Sequence, residues 1–377
     1  MKIAVIGAGI GGLVAAVGLQ RNGHDVVVYE QRDDPSPAGA GLTLFGNAFD
    51  ALDMVGLGEV VRGVSSGAIG AMRAGQREPS GAWLMTTPPA AVASLRSAHR
   101  VELHRVLTEA LQPGTLHVGT PALVSDTGSP EVSVDGRTER FDVVVVADGI
   151  RSRNRAALGL DTGVRYAGYT AWRGVTGAPV ALGGEAGETW GRGRVFGVVP
   201  LPDERVYWFA TLSTPANTVF PNEHEAVLSH FAKWHAPIRA CIDATPPDQL
   251  LRHDIHDLAK LPTSFRRGRT VLLGDAAHAM TPNLGQGAGQ AIEDAVTLAL
   301  LLDGARADIV EERLDRYAEV RRRRTVQVWQ RSRFAGRIAQ TAHPLAAGLR
   351  DAVLRLTPSR AMSSMSRSLL AWPKPTT

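Results

Sequence analysis

A chain of 377 residues, 44% of them apolar, has room for two domains sharing an interface and for a large core. A formal net charge of +4, carried almost wholly by Arg, does not describe a nucleic-acid-binding surface. The single cysteine, Cys241, excludes a disulfide framework and fits a reducing, cytoplasmic setting.

The chain opens on MKIAVIGAGIGGLVAAVGLQ, apolar enough to imitate a secretion signal. Glycines interrupt it and no small-residue cleavage site follows, so it reads as a buried strand, Lys2 to Ile6, and a helix through Leu13 to Leu19. Gly23 is a plausible C-cap, and DVVVYE, Asp25 to Glu30, is a second buried strand, which completes a β-α-β unit. No run of about 18 apolar residues follows, so no membrane span is expected.

EVSV and RFDVVVVADG flank Asp135-Gly136, a strong two-residue hairpin signal. The unbroken FDVVVV belongs in a sheet covered on both faces. Between about 165 and 265 the strands become alternating and aromatic (YTAWRGV, RVFGVVPL, RVYWFATL), a mainly antiparallel sheet with Leu201 to Glu204 as a hairpin loop. If that loop has even length, Arg194, Phe196, Val198, Tyr207, Phe209 and Thr211 share one face and Trp208 points to the other. TVLLGD then leads into GDAAHAMTPNLGQGAGQAIEDA, where a glycine-rich turn becomes a helix with Ile292, Ala295, Ala299 and Leu302 on one side, stopped at Gly304. Farther on, Val310, Leu314, Tyr317 and Val320 recur at helical spacing, and Arg321 to Arg324 read as its solvated surface, with contact to a membrane or an anionic partner as the alternative.

Residues 1–70, 96–164 and 266–340 are assigned to an α/β dinucleotide-binding domain of Rossmann type, 71–95 and 165–265 to the antiparallel-sheet domain, and 341–377 to a C-terminal helical tail. The tail is expected to be only partly ordered after Thr357.

Gly7-Ala8-Gly9-Ile10-Gly11-Gly12 fits G-x-G-x-x-G between a strand and a helix, with the acidic Glu30 about 20 positions on. Gly7 permits the turn, Gly9 lets the backbone approach a pyrophosphate, and Gly12 lets helix and strand pack closely. The helix N-terminus offers amides to the phosphates. Glu30 is placed to accept from a ribose hydroxyl, which suits FAD or NAD and opposes a 2′-phosphate. Arg32 lies on the adenine side or in solvent.

GAGIGG with Glu30, the ADG ending Val143 to Gly149, and GDAAHAMTP with GQGAGQAIEDA together resemble the FAD-dependent aromatic hydroxylases, the single-component monooxygenases of the para-hydroxybenzoate hydroxylase type. The resemblance is greatest to urate- and salicylate-hydroxylase-like members. It implies that Asp275 bonds the ribityl chain of FAD, that Asp148 lies near the pyrophosphate and takes part in FAD and NAD(P)H handling, and that Arg100 opens a helix beside the flavin, with Arg105 the rival for that role. Pro282 borders the pocket where oxygen adds to flavin C4a. Gly285, Gly287, Ala288 and Gly289 leave backbone on which a flat ring can rest, and the helix dipole there favours the negative charge of a reduced flavin.

Arg194 and Tyr207 align with substrate-contacting residues of urate-hydroxylase-like relatives; as a surface Arg and a core Tyr they are equally ordinary. Tyr169, Trp172 and Arg173 are weaker candidates for the same wall. His278 invites a catalytic-base role but fits better as a hydrogen-bonded structural histidine. His253 and His256 fall on opposite strand faces, so no metal is assigned.

The expected activity is hydroxylation of an aromatic or heteroaromatic small molecule using NADPH or NADH and O2 through a flavin C4a-hydroperoxide, by a monomer or homodimer. An epoxidase acting on an alkene, an FAD-binding protein without oxygenase turnover, and a plain NAD dehydrogenase are the alternatives. A flavin halogenase is disfavoured because G-W-x-W-x-I-P is absent.

Overall fold

The computed structural model describes residues 1–35, 40–358 and 368–375. The expected β-α-β unit consists of Lys2–Ile6, the helix Ile10–Arg21 and Asp25–Tyr29, the two strands pairing in parallel from Lys2 with Asp25 to Ile6 with Tyr29. Val143–Val146 pairs in parallel with Lys2–Ile6 on one side and with Thr270–Leu272 on the other. Its valines are fully buried between two apolar clusters, Val143 and Val145 in one and Val144 and Val146 in the other. That double burial is what a continuous Val run encodes. Arg266–Arg267 and Leu116–His117 are the edges of this six-stranded sheet. Asp135 and Gly136 both take positive φ between Val134 and Arg137, the geometry of a two-residue hairpin.

The second sheet has seven strands in the order Leu251–Leu258, Val164–Val175, Val206–Ser213, Arg194–Pro200, Glu185–Trp190, Arg73–Arg77 and Trp83–Thr86. All its pairings are antiparallel except Glu185–Trp190 with Arg73–Arg77. One face is covered by the helices Glu223–Phe231 and Ile238–Asp243 through Trp172, Phe196, Trp208, Phe231 and Cys241. The other looks toward the dinucleotide-binding part, where the ring of Tyr207 lies so close to Gly41 that a Cβ there would fall 2.3 Å from Tyr207 Cγ.

The hairpin loop is where the sequence reading fails. Pro200 pairs with Val206, and the Leu201 N–H donates to the Arg205 carbonyl, leaving Pro202, Asp203 and Glu204 as a three-residue loop with Glu204 at φ +61°. An odd loop reverses the parity. Arg194 therefore stands opposite Leu212, and Phe196 opposite Ala210, on the helix-covered face with Trp208. Tyr207, Phe209 and Thr211 face the other way with Val199, Gly197 and Val195.

The helices Gly287–Leu302 and Val310–Ala339 complete the core of the first part. Gly11 and Gly18 let the helix Ile10–Arg21 approach Gly287–Leu302 closely: Cβ atoms there would lie 3.1 Å from Ala291 Cβ and 3.0 Å from Ala299 Cβ. The helix Pro344–Leu356 follows, and the tail beyond Thr357 falls partly outside the described residues. No helix among the described residues is long and apolar enough to cross a membrane.

Candidate active site

At the end of Lys2–Ile6 the chain turns through Gly7 at φ +106°, where a Cβ would sit 2.4 Å from the Ala147 carbonyl oxygen. A Cβ at Gly12 would sit 2.0 Å from the Gly7 carbonyl oxygen, whereas nothing lies within 4 Å of one at Gly9. Two of these glycines are demanded by the protein's own packing. The third leaves an open face at a helix N-terminus, where phosphates find unpaired amides.

Glu30 is buried, its Oε2 accepting the Ala8 N–H at 2.9 Å and its Oε1 the Arg32 N–H at 3.0 Å. Arg32 Nε lies 3.5 Å from the same carboxylate while half of its side chain stays in solvent. His104 Nε2 is 2.8 Å from the Ala8 carbonyl oxygen, a loop support the sequence reading did not identify. Asp148 Oδ2 accepts from the Asn154 side chain at 2.9 Å, and its Oδ1 is buried with no partner among the described residues. An acceptor left over beside Gly7 fits a hydroxyl-bearing ligand.

Across the cleft, Gly274 at φ +61° turns the chain into the short helix Asp275–His278, leaving Asp275 exposed at its start. Arg100, the first residue of the helix Arg100–Glu109, faces this carboxylate. The walls of the cleft lower the Arg100 pKa by desolvation, and Asp275 works in the opposite direction. Arg105 is instead a surface residue, paired with Glu102 at 3.0 Å and Glu109 at 2.8 Å.

Pro282 opens the turn Pro282–Leu284, and Gly285 at φ +62° lies beside Phe45 and Thr43. The helix then starts at Gly287, where a Cβ would meet nothing within 4 Å. Gly287, Ala288 and Gly289 thus make its first turn nearly bare of side chains.

Beneath that turn lies a buried network that corrects one expectation, the solvated arginine run, and agrees with the structural role expected of His278. Asp294 Oδ2 accepts the Gly274 N–H at 2.8 Å and lies 2.6 Å from His278 Nε2. Its Oδ1 accepts from Arg321 Nε at 2.5 Å. Arg321 also reaches Glu293 at 2.7 Å, and Glu293 binds Arg324 at 3.2 Å and Asn47 at 2.6 Å. Arg321 and Arg324 are therefore buried, not solvated, because two carboxylates on the neighbouring helix neutralise them; only Arg323 in that run is exposed. Burial alone would raise the Asp294 pKa, but His278 and Arg321 hold it below the ordinary range. His278 is fully buried and committed to this framework.

The face of the seven-stranded sheet that looks toward this turn carries Tyr207, Phe209, Tyr169, Arg173 and His253. Tyr169 donates its hydroxyl to Asn283 Oδ1 at 2.8 Å, joining the sheet to the residue after Pro282. Tyr207 is hydrogen-bonded to Arg173; burial raises the phenol pKa and the neighbouring guanidinium moderates the rise. Trp172 and Arg194 lie on the opposite face. Arg194 Nη1 donates to the His230 carbonyl at 3.0 Å, and its guanidinium rests over Trp234. The expected pairing of Arg194 with Tyr207 in one wall is corrected, and Arg173 is the cation beside the phenol. His253 stands opposite Ala171 on the cleft side and lacks His256 as a neighbour, which pairs with Tyr166 beyond a bulge.

The residues present fit FAD. The open Gly9 face and Glu30 suit its adenosine diphosphate end, Arg100 and Asp275 its polar chain, and the bare turn at Gly285 to Gly289 its flat ring.

A family model described as an FAD binding domain matches residues 1–332. The chain is 34% identical over 381 residues to "Aurachin C monooxygenase/isomerase" of Stigmatella aurantiaca, covering 97% of both proteins. It is 33% identical over 386 residues to "2-heptyl-3-hydroxy-4(1H)-quinolone synthase" of Pseudomonas aeruginosa, covering 98% of this chain and 97% of that one. The crystal structure of Klebsiella pneumoniae HpxO complexed with FAD and uric acid superposes with a TM-score of 0.89 at 27% identity, over 99% of this chain and 97% of that one. The chain belongs to the FAD-binding-domain family and, within it, to the FAD-dependent aromatic hydroxylase type.

Proposed function

We propose that this protein is an NAD(P)H-dependent FAD monooxygenase that places one oxygen atom from O2 on an oxo- or hydroxy-substituted nitrogen heteroaromatic ring. The observation that carries this reading is the cleft itself: an aromatic sheet face with a cation and a phenol, set opposite a helix start bare of side chains. The relatives support the ring class, since one is named for a 4(1H)-quinolone and a solved neighbour holds uric acid.

FAD, when bound and reduced by NAD(P)H, supplies the oxygen activation. Glu30 orients the ribose, Gly9 admits the pyrophosphate, and Asp148, Arg100 and Asp275 fix the polar chain. The N-terminal amides of Gly287–Leu302 would stabilise negative charge on a ring bound there. Pro282 walls the space where oxygen arrives. Phe209 and Tyr169 hold the substrate ring, Arg173 and Tyr207 donate to its oxygen, and the aromatic face limits the access of water.

A panel of oxo- and hydroxy-substituted heteroaromatics, scored by NADH and NADPH oxidation and by product mass, tests this. Substrate-stimulated oxidation with gain of one oxygen is expected. Bound FAD with no ligand-stimulated oxidation across the panel makes the protein a flavin-binding partner instead.

A further inference from the structure

One row of residues crosses the seven-stranded sheet abreast: Gln76, Glu188, Gly197, Phe209 and Arg173. Directly opposed residues share a face, so all of them look into the cleft. The row is polarised. Arg173, with Tyr207 next to it, supplies donors at one end, and Gln76 and Glu188 supply acceptors at the other. Between them Gly197 is covered by Phe209, whose Cζ would lie 2.2 Å from a Cβ there.

The acceptor end is unsatisfied. Glu188 Oε2 accepts the Trp190 indole N–H at 2.7 Å, and no cation pairs with Glu188 among the described residues. Burial raises its pKa, opposed only by that indole. Gln76 Oε1, on the strand beside it, is buried with no partner among the described residues. Buried acceptors without donors are costly, and a ligand that brings a donor recovers that cost. Three strand spacings separate Glu188 from Arg173, about 14 Å between backbones, which leaves room for a bicyclic ring between the two side chains.

We propose that Glu188, with Gln76 beside it, determines specificity by accepting a hydrogen bond from the substrate's ring N–H, while the ring oxygen across from that N–H meets Arg173 and Tyr207. The assignment rests on the sheet face being the substrate wall. It selects rings that carry a donor on one edge and an oxo or hydroxyl oxygen on the opposite edge, and it rejects isosteres lacking the N–H.

The test uses the FAD-loaded full chain and two probes, 4(1H)-quinolone and 4H-chromen-4-one, in which an ether oxygen replaces the N–H without added bulk. Dissociation constants are read from the change in flavin absorbance. The wild type is expected to prefer the quinolone by about tenfold or more. Glu188→Leu should abolish the preference by weakening quinolone binding, with FAD content unchanged, and Glu188→Gln, which keeps an acceptor, should retain part of it. Gln76→Met provides a second, milder variant and should narrow the preference. A wild type that binds both probes alike, or variants that keep the full preference, overturns the assignment and leaves the substrate wall standing. A wild type that holds FAD yet binds neither probe, with no heteroaromatic stimulating NAD(P)H oxidation, overturns the wall and this assignment with it.

Discussion

His278 Nε2 lies 2.6 Å from Asp294 Oδ2, the same oxygen that accepts the Gly274 N–H, so one buried carboxylate ties the turn before Asp275 to the glycine-started helix. The other oxygen of Asp294 is held by Arg321, which is itself fully buried. Removing one member of such a set strands the others without compensation, typically at about 3–5 kcal/mol. Asp294→Asn is therefore expected to lower the denaturant midpoint sharply and to release FAD. An unchanged midpoint with normal flavin content shows that the network does not set the geometry of the turn.

Acid should act through the same groups. The folded Asp294 and Glu293 pKa values are depressed, in both cases because nearby positive charge outweighs the burial that alone would raise them. Carboxyls in the unfolded chain titrate near about 3.9 and 4.3. Their stabilisation is thus present above those values and is lost as the pH falls through the lower folded ones. Stability measured by urea melts should decline below about pH 4, and Glu293→Gln should flatten that decline.

Two glycine substitutions separate folding from cofactor binding. Gly12→Ala drives a methyl onto the Gly7 carbonyl, whereas Gly9→Ala meets no protein atom within 4 Å. The first should lower the melting temperature of the FAD-free protein. The second should leave it unchanged and weaken FAD binding by about tenfold or more, since only the ligand's approach is blocked. Equal effects of the two changes on the FAD-free melt contradict this division.

Asp275 is exposed at the start of its helix, so Asp275→Ala should fold normally and lose FAD affinity, as read by flavin fluorescence titration. Wild-type affinity in the variant removes Asp275 from the cofactor's polar chain.

The two arginines of the seven-stranded sheet should behave oppositely. Arg173→Met removes the guanidinium beside Tyr207 and should raise KM for an oxo-substituted ring by about tenfold or more at unchanged FAD content. Arg194→Met acts on the far face, where the guanidinium holds the His230 carbonyl, and should reduce stability with little change in KM. A KM effect from Arg194 larger than that from Arg173 reverses the assignment of faces.

What the sequence determined by itself was local. The β-α-β unit, the doubly covered Val143–Val146 strand, the glycine turn with Glu30 and the bare helix start at Gly287 all follow from the order of residues over short spans, because periodicity and glycine placement act within one or two elements. Only the tertiary structure decided which side chains meet. A single residue in the loop Pro202 to Glu204 turned Arg194 away from Tyr207, because strand parity flips with loop length. Arg321 and Arg324 read as solvated charge until Glu293 and Asp294, about 30 positions earlier, were brought against them. Glu188 gave no signal at all in the sequence, since an isolated carboxylate acquires meaning only from the strands that place Gln76 and Gly197 beside it and from having no cation paired with it among the described residues.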